Sequence, residues 1–88
     1  MDGREAFEAI RDALNAEPRR RIIESRYEEL IFGNFIIAFE HDGQPSSIVN
    51  DRGELFLCSD LSGSKGCTVI LPSLYEVDEQ GLLRALGL

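Results

Sequence analysis

The sequence holds little of what a catalytic or metal-binding site requires. His41 is the only histidine, and Cys58 and Cys67 are the only cysteines, in 88 residues. A zinc site takes four sulfur or imidazole ligands at close spacing, and covalent catalysis needs a nucleophile, a base and a group that orients the base. Cys58 and His41 could form a dyad, but we interpret them as a packed cysteine and a solvated turn histidine. The sequence therefore predicts no catalytic residue, no metal and no cofactor.

Long apolar runs are also missing. No apolar stretch approaches the ~18 residues of a membrane-spanning helix, and the first residues, Met1–Glu5, are polar and acidic, unlike a secretory signal. We therefore expect a cytoplasmic protein that does not contact a membrane. The length fits a single domain over residues 1–88.

The two cysteines flank one loop, Ser59–Gly66, so they could face each other across a hairpin. Two cysteines do not make a disulfide scaffold, and a reducing cytosol would keep them as thiols. We expect reduced, partly buried thiols, with a structural disulfide as the alternative.

Basic side chains are scarce after the first third of the chain. Residues 1–26 carry six basic and six acidic side chains, whereas residues 27–88 carry ten acidic side chains against three basic ones, which is the whole net charge of −7. An acidic surface repels phosphate and attracts cationic protein. We therefore expect no direct nucleic-acid binding, and we expect the arginines at 19–21 to pair with carboxylates of the chain.

Both ends of the chain have helical signals. Over residues 3–16, apolar side chains recur at helical spacing, Asp2 and Glu5 form a capping-box pattern, and Pro18 ends the helix. The segment Asp78–Leu86 predicts a short helix capped by Asp78, with Leu82, Leu83 and Leu86 facing inward.

Residues 19–32 fit either a helix or a strand. A helix would place Arg19–Arg21 at the positive end of its dipole and Glu28-Glu29 at the negative end, both unfavourable. We therefore favour a strand over Arg20–Arg26, followed by a connection through Phe32-Gly33-Asn34.

Strand-forming residues separated by turn residues dominate the rest of the chain. The predicted strands are Phe35–Glu40, Ser46–Val49, Glu54–Cys58 and Cys67–Leu71, with turns at His41-Asp42-Gly43 and Asn50-Asp51-Arg52-Gly53. These patterns predict an α+β fold with an N-terminal helix, an antiparallel meander of four to five strands, and a short C-terminal helix packed on the sheet.

The strand Phe35–Glu40 is apolar on both of its faces, so each face needs cover. The N-terminal helix can cover one face. The short C-terminal helix, a loop or a second protein chain must cover the other, which makes that face available to a partner.

The turn motifs carry a family resemblance. The stretch Phe32-Gly33-Asn34, then Phe39-Glu40-His41-Asp42-Gly43, then Val49 to Leu55 resembles small bacterial immunity proteins encoded beside contact-dependent-inhibition and other polymorphic toxins, over about residues 32–57. The resemblance implies a small, acidic, cytoplasmic protein without catalytic residues. It also implies that the protein neutralises a cognate toxin domain by occlusion, and a nuclease toxin offers a basic cleft that an acidic partner can fill.

The functional hypothesis is therefore an immunity protein that binds a cationic toxin domain through an acidic surface. Candidate contacts are acidic or aromatic residues near turns or sheet edges: Tyr27, Glu28, Glu29, Glu40, Asp42, Asp51, Glu54, Asp60 and Glu76. The alternative is a non-catalytic, homo-oligomeric structural or regulatory domain that uses the second sheet face as a homodimer interface.

Overall fold

A computed structural model describes residues 1–88 and confirms the predicted α+β architecture. Two α-helices flank a five-stranded sheet, and a short 3₁₀-helix precedes the second helix. The elements are α1 (Gly3–Asn15), β1 (Arg20–Glu28), β2 (Asn34–His41), β3 (Gln44–Asp51), β4 (Glu54–Cys58), β5 (Thr68–Leu71), the 3₁₀-helix Leu74–Glu76, and α2 (Glu79–Ala85).

The five strands form an antiparallel meander in the order β1-β2-β3-β4-β5. The segment that fitted either a helix or a strand is strand β1, which extends two residues beyond the prediction and contains a bulge between Ile22 and Glu24. The β2–β3 and β3–β4 hairpins turn at Asp42-Gly43 and Arg52-Gly53, where all four residues have positive φ. Such turns match the right-handed twist of paired strands.

The core lies between one sheet face and helix α1. Phe7, Ile10 and Leu14 of the helix are buried in one cluster with Phe35 and Ile37 of β2. The capping box of Asp2 and Glu5 is present, and Asp78 caps α2 as predicted. Helix α2 packs against α1 and β5, so it covers the same side of the molecule as α1. Leu82 of α2 is fully buried, whereas Leu83 and the residue that caps the helix, Leu86, are half-buried.

The opposite sheet face is covered in part by the loop Ser59–Gly66. A Cβ atom on Gly63 would lie 2.8 Å from Val49 Cγ2 and 3.1 Å from Ile36 Cδ1, so the loop backbone rests on β2 and β3 at this point. Gly63 also has φ +72°, which disfavours a side chain there. Beneath the loop, Ser47 is fully buried and its hydroxyl has no hydrogen-bond partner. From the sequence, the C-terminal helix, a loop or a second chain could cover this face, and in the structure the loop covers part of it.

The expectation of reduced thiols is wrong in this structure, because Cys58 and Cys67 form a disulfide. In the register of β4 and β5, Leu57 pairs with Thr68, so Cys58 and Cys67 are the next residues opposite each other. Adjacent antiparallel strands bring such a pair within bonding distance. The bond closes the loop Ser59–Gly66 at its base.

Candidate protein-docking surface

At one end of the sheet, acidic side chains are paired with arginines of the same chain. Arg21 lies 3.1 Å from Glu40, and the Arg19 guanidinium forms two hydrogen bonds and an ion pair with Asp42. Arg20 donates a 3.0 Å hydrogen bond from Nε to Nδ1 of His41. We call these residues, Arg19–Arg21 with Glu40–Asp42, the paired end. The prediction that the arginines at 19–21 pair with carboxylates is confirmed for Arg19 and Arg21.

The hydrogen bonds of the paired end shift two pKa values. The hydrogen bond with Asp42, together with its charge, raises the pKa of Arg19. The same hydrogen bond lowers the pKa of Asp42, with smaller contributions from the charges of Arg19 and His41. Both groups are exposed, so the pair contributes little to stability beyond fixing the β2–β3 turn against the start of β1.

The other end of the sheet brings together the β1–β2 loop, the β3–β4 turn and the 3₁₀-helix. We call its surface the tip surface, and it comprises Glu28–Phe32, Asp51, Arg52, Glu54, Tyr75 and Glu76. Asp51 and Glu54 are cross-strand partners, and the ring of Tyr75 lies under the turn, 2.5 Å from where a Gly53 Cβ would be. Five of the ten acidic side chains after residue 26 therefore lie at this end.

Most carboxylates of the tip surface have no partner within the chain. Glu28 lies 3.3 Å from Nε of Arg26. Glu29, Asp51, Glu54 and Glu76 take part in no ion pair and no side-chain hydrogen bond. Arg52, the one cation between Asp51 and Glu54, lies over the ring of Phe32 with 4.8 Å from its guanidinium carbon to the ring centroid. The negative charge of the tip surface is therefore directed to solvent.

Large apolar side chains stand among these carboxylates. Leu30 is 98% exposed, Phe32 65%, Tyr75 53% and Ile31 49%. A surface in which apolar and aromatic side chains are surrounded by polar groups is typical of a protein–protein contact.

Two asparagines hold the loop and the turn of the tip surface together. Asn50, which is 1% exposed, donates to the carbonyl of Gly33 at 2.9 Å and accepts from the Gly53 amide at 2.9 Å. Asn34 accepts from the Arg52 amide at 2.7 Å. The β1–β2 loop and the β3–β4 turn are therefore one connected unit.

The nine predicted contact residues do not lie on one continuous surface. Five of them are on the tip surface, namely Glu28, Glu29, Asp51, Glu54 and Glu76, and two are at the paired end, namely Glu40 and Asp42. Tyr27 belongs to the helix side of the sheet, where its ring is 5.5 Å from that of Phe7. Asp60 lies in the loop over the other face.

Asp60 organises its own loop. Its carboxylate accepts from the hydroxyls of Ser62 and Ser64 and from the amides of Ser64 and Lys65. These hydrogen bonds, that of Ser62 first, hold the pKa of Asp60 well below its usual range, against a smaller opposing effect of desolvation. Its charge is therefore used inside the loop.

The residues of the Cys58/His41 dyad do not come together. The Cys58 sulfur is bonded to Cys67, and the strand register places His41 and Cys58 on opposite sheet faces. No group of three or more His, Cys, Asp and Glu side chains is arranged to hold a metal ion.

Another group of carboxylates lines a depression between the two helices. This groove of about 550 Å³ is lined by Glu5, Glu8, Asp12, Asp78 and Glu79, with Met1, Ala9 and Val77. Three of its carboxylates are used locally: Glu5 and Asp78 cap helices, and Glu8 lies 3.3 Å from Arg4. The groove therefore resembles the paired end more than the tip surface.

Comparisons with protein-family models, with curated proteins and with solved structures find no match to this chain. Neither helix combines the length and the apolar character needed to cross a bilayer.

Sequence reasoning missed the apolar part of the tip surface. The sequence patterns assign no surface to Leu30 and Ile31, and they place Phe32 only in a connection. Once β1 and β2 are strands, three large apolar residues in succession fall in the loop between them. That succession, followed by Gly33-Asn34, is the signal in the sequence that could have identified the surface.

Proposed function

We propose that this protein binds a cationic partner protein through the tip surface and neutralises it by covering its basic cleft. An immunity protein neutralises its toxin in this way. The observation that carries the proposal is the contrast in pairing. Glu40 and Asp42 are bound to arginines of the chain, whereas Glu29, Asp51 and Glu54 are left to solvent.

Charge complementarity selects the class of partner. With a net charge of −7, the protein repels the phosphates of nucleic acids and anionic lipids. Unpaired carboxylates accelerate encounter with a basic surface, because long-range attraction steers the two proteins together. A nuclease domain, which binds phosphate in a basic cleft, has the complementary chemistry.

Occlusion requires shape and charge but no reacting group. The tip surface supplies unpaired carboxylates around exposed apolar side chains on a backbone held by Asn34 and Asn50. The alternative of a homodimer through the second sheet face is less favoured, because the loop Ser59–Gly66 already rests on the middle of that face.

The proposal predicts that the open reading frame immediately upstream encodes a large secreted protein with a variable C-terminal domain. The test is co-expression of this protein with that domain, which is the cognate toxin domain of the proposal. We expect the wild-type protein to restore growth and to co-purify with the domain. Failure of the wild-type protein to restore growth or to bind the domain contradicts the proposal.

A matched pair of charge variants locates the contact. Asp51→Asn/Glu54→Gln and Asp12→Asn/Glu79→Gln each remove two negative charges, the first pair from the tip surface and the second from the groove between the helices. We expect the tip variant to lower the association rate constant about tenfold at low salt and to flatten its salt dependence, and the groove variant to change it less than twofold. Equal effects of the two variants would show that only net charge matters.

A further inference from the structure

The geometry points to Leu30-Ile31-Phe32, which we call the anchor loop, as the segment that enters an apolar pocket of the partner. The inference rests on the proposed function and specifies its partner further: a protein whose apolar pocket is bordered by basic side chains. When the two proteins bind, the carboxylates of the tip surface determine the association rate, and the anchor loop determines the lifetime of the complex.

The exposure of the anchor loop is the first support. Leu30 is 98% exposed, although the strand that follows the loop, β2, buries Phe35, Ile37 and Phe39. Three adjacent apolar side chains in water are not explained by folding, because none of them belongs to the core cluster of the domain. In protein–protein interfaces, a few such side chains carry most of the binding energy.

The loop backbone is already ordered without a partner. The Ile31 amide donates to the carbonyl of Glu28 at 3.1 Å, and the Asn34 amide donates to the carbonyl of Ile31 at 2.9 Å. Asn50 fixes the carbonyl of Gly33. An ordered loop loses less conformational freedom on binding, which favours a long-lived complex.

Helix α1 supports the loop from the side. A Cβ atom on Gly3 would lie 2.5 Å from the carbonyl oxygen of Gly33, so the first turn of the helix is in direct backbone contact with the end of the loop. The Tyr27 hydroxyl is also close, 3.3 Å from where a Gly33 Cβ would be. Gly33, the residue that follows the anchor loop, is therefore held between the start of α1, Tyr27 of β1 and Asn50 of β3, while the side chains of the anchor loop stay exposed.

Phe32 holds an unfavourable backbone conformation. Its φ is +54°, in the left-handed region that bulky side chains avoid, and the next residue, Gly33, has φ +65°. Arg52, which stacks on the Phe32 ring, also has positive φ, at +54°. Residues kept in such conformations cluster at binding sites, where the surrounding structure fixes them. Glycine would be the easier residue at position 32, so the backbone geometry does not account for a phenyl ring there.

The surrounding charge distinguishes a protein partner from the other occupants of an apolar tip. Five carboxylates lie on the tip surface, and they would be repelled by an anionic bilayer. They would also be repelled by the same five carboxylates of a second copy. A basic protein with an apolar pocket satisfies both the charged and the apolar side chains.

Binding kinetics with the cognate toxin domain test the anchor loop. We expect Leu30→Ala and Phe32→Gly each to raise the dissociation rate constant at least 30-fold, with the association rate constant within threefold of wild type and an unchanged salt dependence. The control is Leu61→Ala, which truncates an exposed leucine outside the tip surface and should change both constants less than twofold.

The outcomes separate the two proposals. If the wild-type protein binds but Leu30→Ala and Phe32→Gly dissociate at the wild-type rate, the inference about the anchor loop is wrong and the proposed function stands. If the wild-type protein does not bind, both fall. Thermal unfolding keeps the result interpretable: Phe32→Gly should be at least as stable as wild type, so weaker binding by this variant is not a folding defect.

Two further measurements on the free protein address the other occupants. Light scattering should give a monomer, and sedimentation with phosphatidylcholine vesicles should leave the protein in solution. A dimer, or vesicle binding, that is abolished by Leu30→Ala would overturn the inference by assigning the loop to a second copy or to lipid.

Discussion

At one end of the sheet, Asp42 and Glu40 lie against Arg19 and Arg21; at the other, Asp51 and Glu54 flank a turn whose only arginine stacks on a phenylalanine. Both ends are acidic hairpin turns with residues of positive φ. They differ because Arg19 and the first two residues of β1, Arg20 and Arg21, lie beside the end of β2, whereas the last residue of β1, Glu28, lies beside its start. Strand register, rather than the count of charges, decides which carboxylates can meet a partner.

Removal of the disulfide should have the largest effect on stability, and it should affect the two ends of the sheet differently. Removing the bond with Cys58→Ala/Cys67→Ala should lower the free energy of unfolding by about 2–3 kcal/mol, because the bond closes a loop of about ten residues. Hydrogen exchange should increase on the side of the tip surface, since Ser62 and Gly63 border a depression there with Glu28 and Asp51. The paired end should exchange as before.

Urea unfolding and mass spectrometry after alkylation check this prediction. The untreated protein should take up no iodoacetamide. Two adducts per molecule after alkylation in urea would contradict the bond and restore the expectation of reduced thiols, because urea exposes the buried Cys58. Equal stability of the double variant and wild type would contradict the predicted stabilisation. A disulfide favours an oxidising compartment, so the cytoplasmic location stays a prediction.

Glycine substitutions compare the two turns more finely. Phe32→Gly should raise the free energy of unfolding by about 1 kcal/mol, because it relieves the left-handed conformation of a bulky residue. Asp42→Gly at the paired end should not stabilise the protein. Aspartate tolerates positive φ, and the change removes the hydrogen bonds of Arg19.

Chemical denaturation of both variants measures the difference. Destabilisation by Phe32→Gly would mean that the phenyl ring stabilises the fold. The positive φ of Phe32 would then no longer distinguish this loop from the turn at Asp42.

The smallest effect is expected from pH. The pKa values of Asp42 and Asp60 are lowered in the folded state. Their contribution to stability is therefore complete above the ordinary aspartate pKa of about 3.9 and is lost as the pH falls through the folded pKa values. Between pH 5 and pH 8, neither group should make stability depend on pH.

An NMR titration of the side-chain carboxyl carbons checks these directions. Arg19→Ala should return the pKa of Asp42 toward its ordinary value and leave that of Asp60 unchanged, because the serines of its own loop hold Asp60. An unchanged pKa of Asp42 in Arg19→Ala would contradict the role of that pair.

The local elements could be predicted from the sequence because their signals are local. The capping box at Asp2 and Glu5, the turns at Asp42-Gly43 and Arg52-Gly53, and the dipole argument against a helix at Arg19–Arg21 each use neighbouring residues. The fold class followed from these elements and was confirmed.

Features that depend on pairing between distant residues were less accessible. The ion pair of Arg19 with Asp42 spans 23 residues, and only the strand register reveals it. A different register, that of β4 and β5, aligns Cys58 with Cys67, which form a disulfide where we expected reduced thiols. The position of the loop Ser59–Gly66 depends on Gly63 fitting above Ile36 and Val49, which no spacing rule contains.

Asn50 has a consequence for how recognition could change in this fold. By joining Gly33 to Gly53 from a buried position, it supports the β1–β2 loop independently of the side chains at 30–32. Those three positions could therefore be randomised in a display library while the scaffold keeps its shape. New binding specificities could be grafted here without redesigning the sheet.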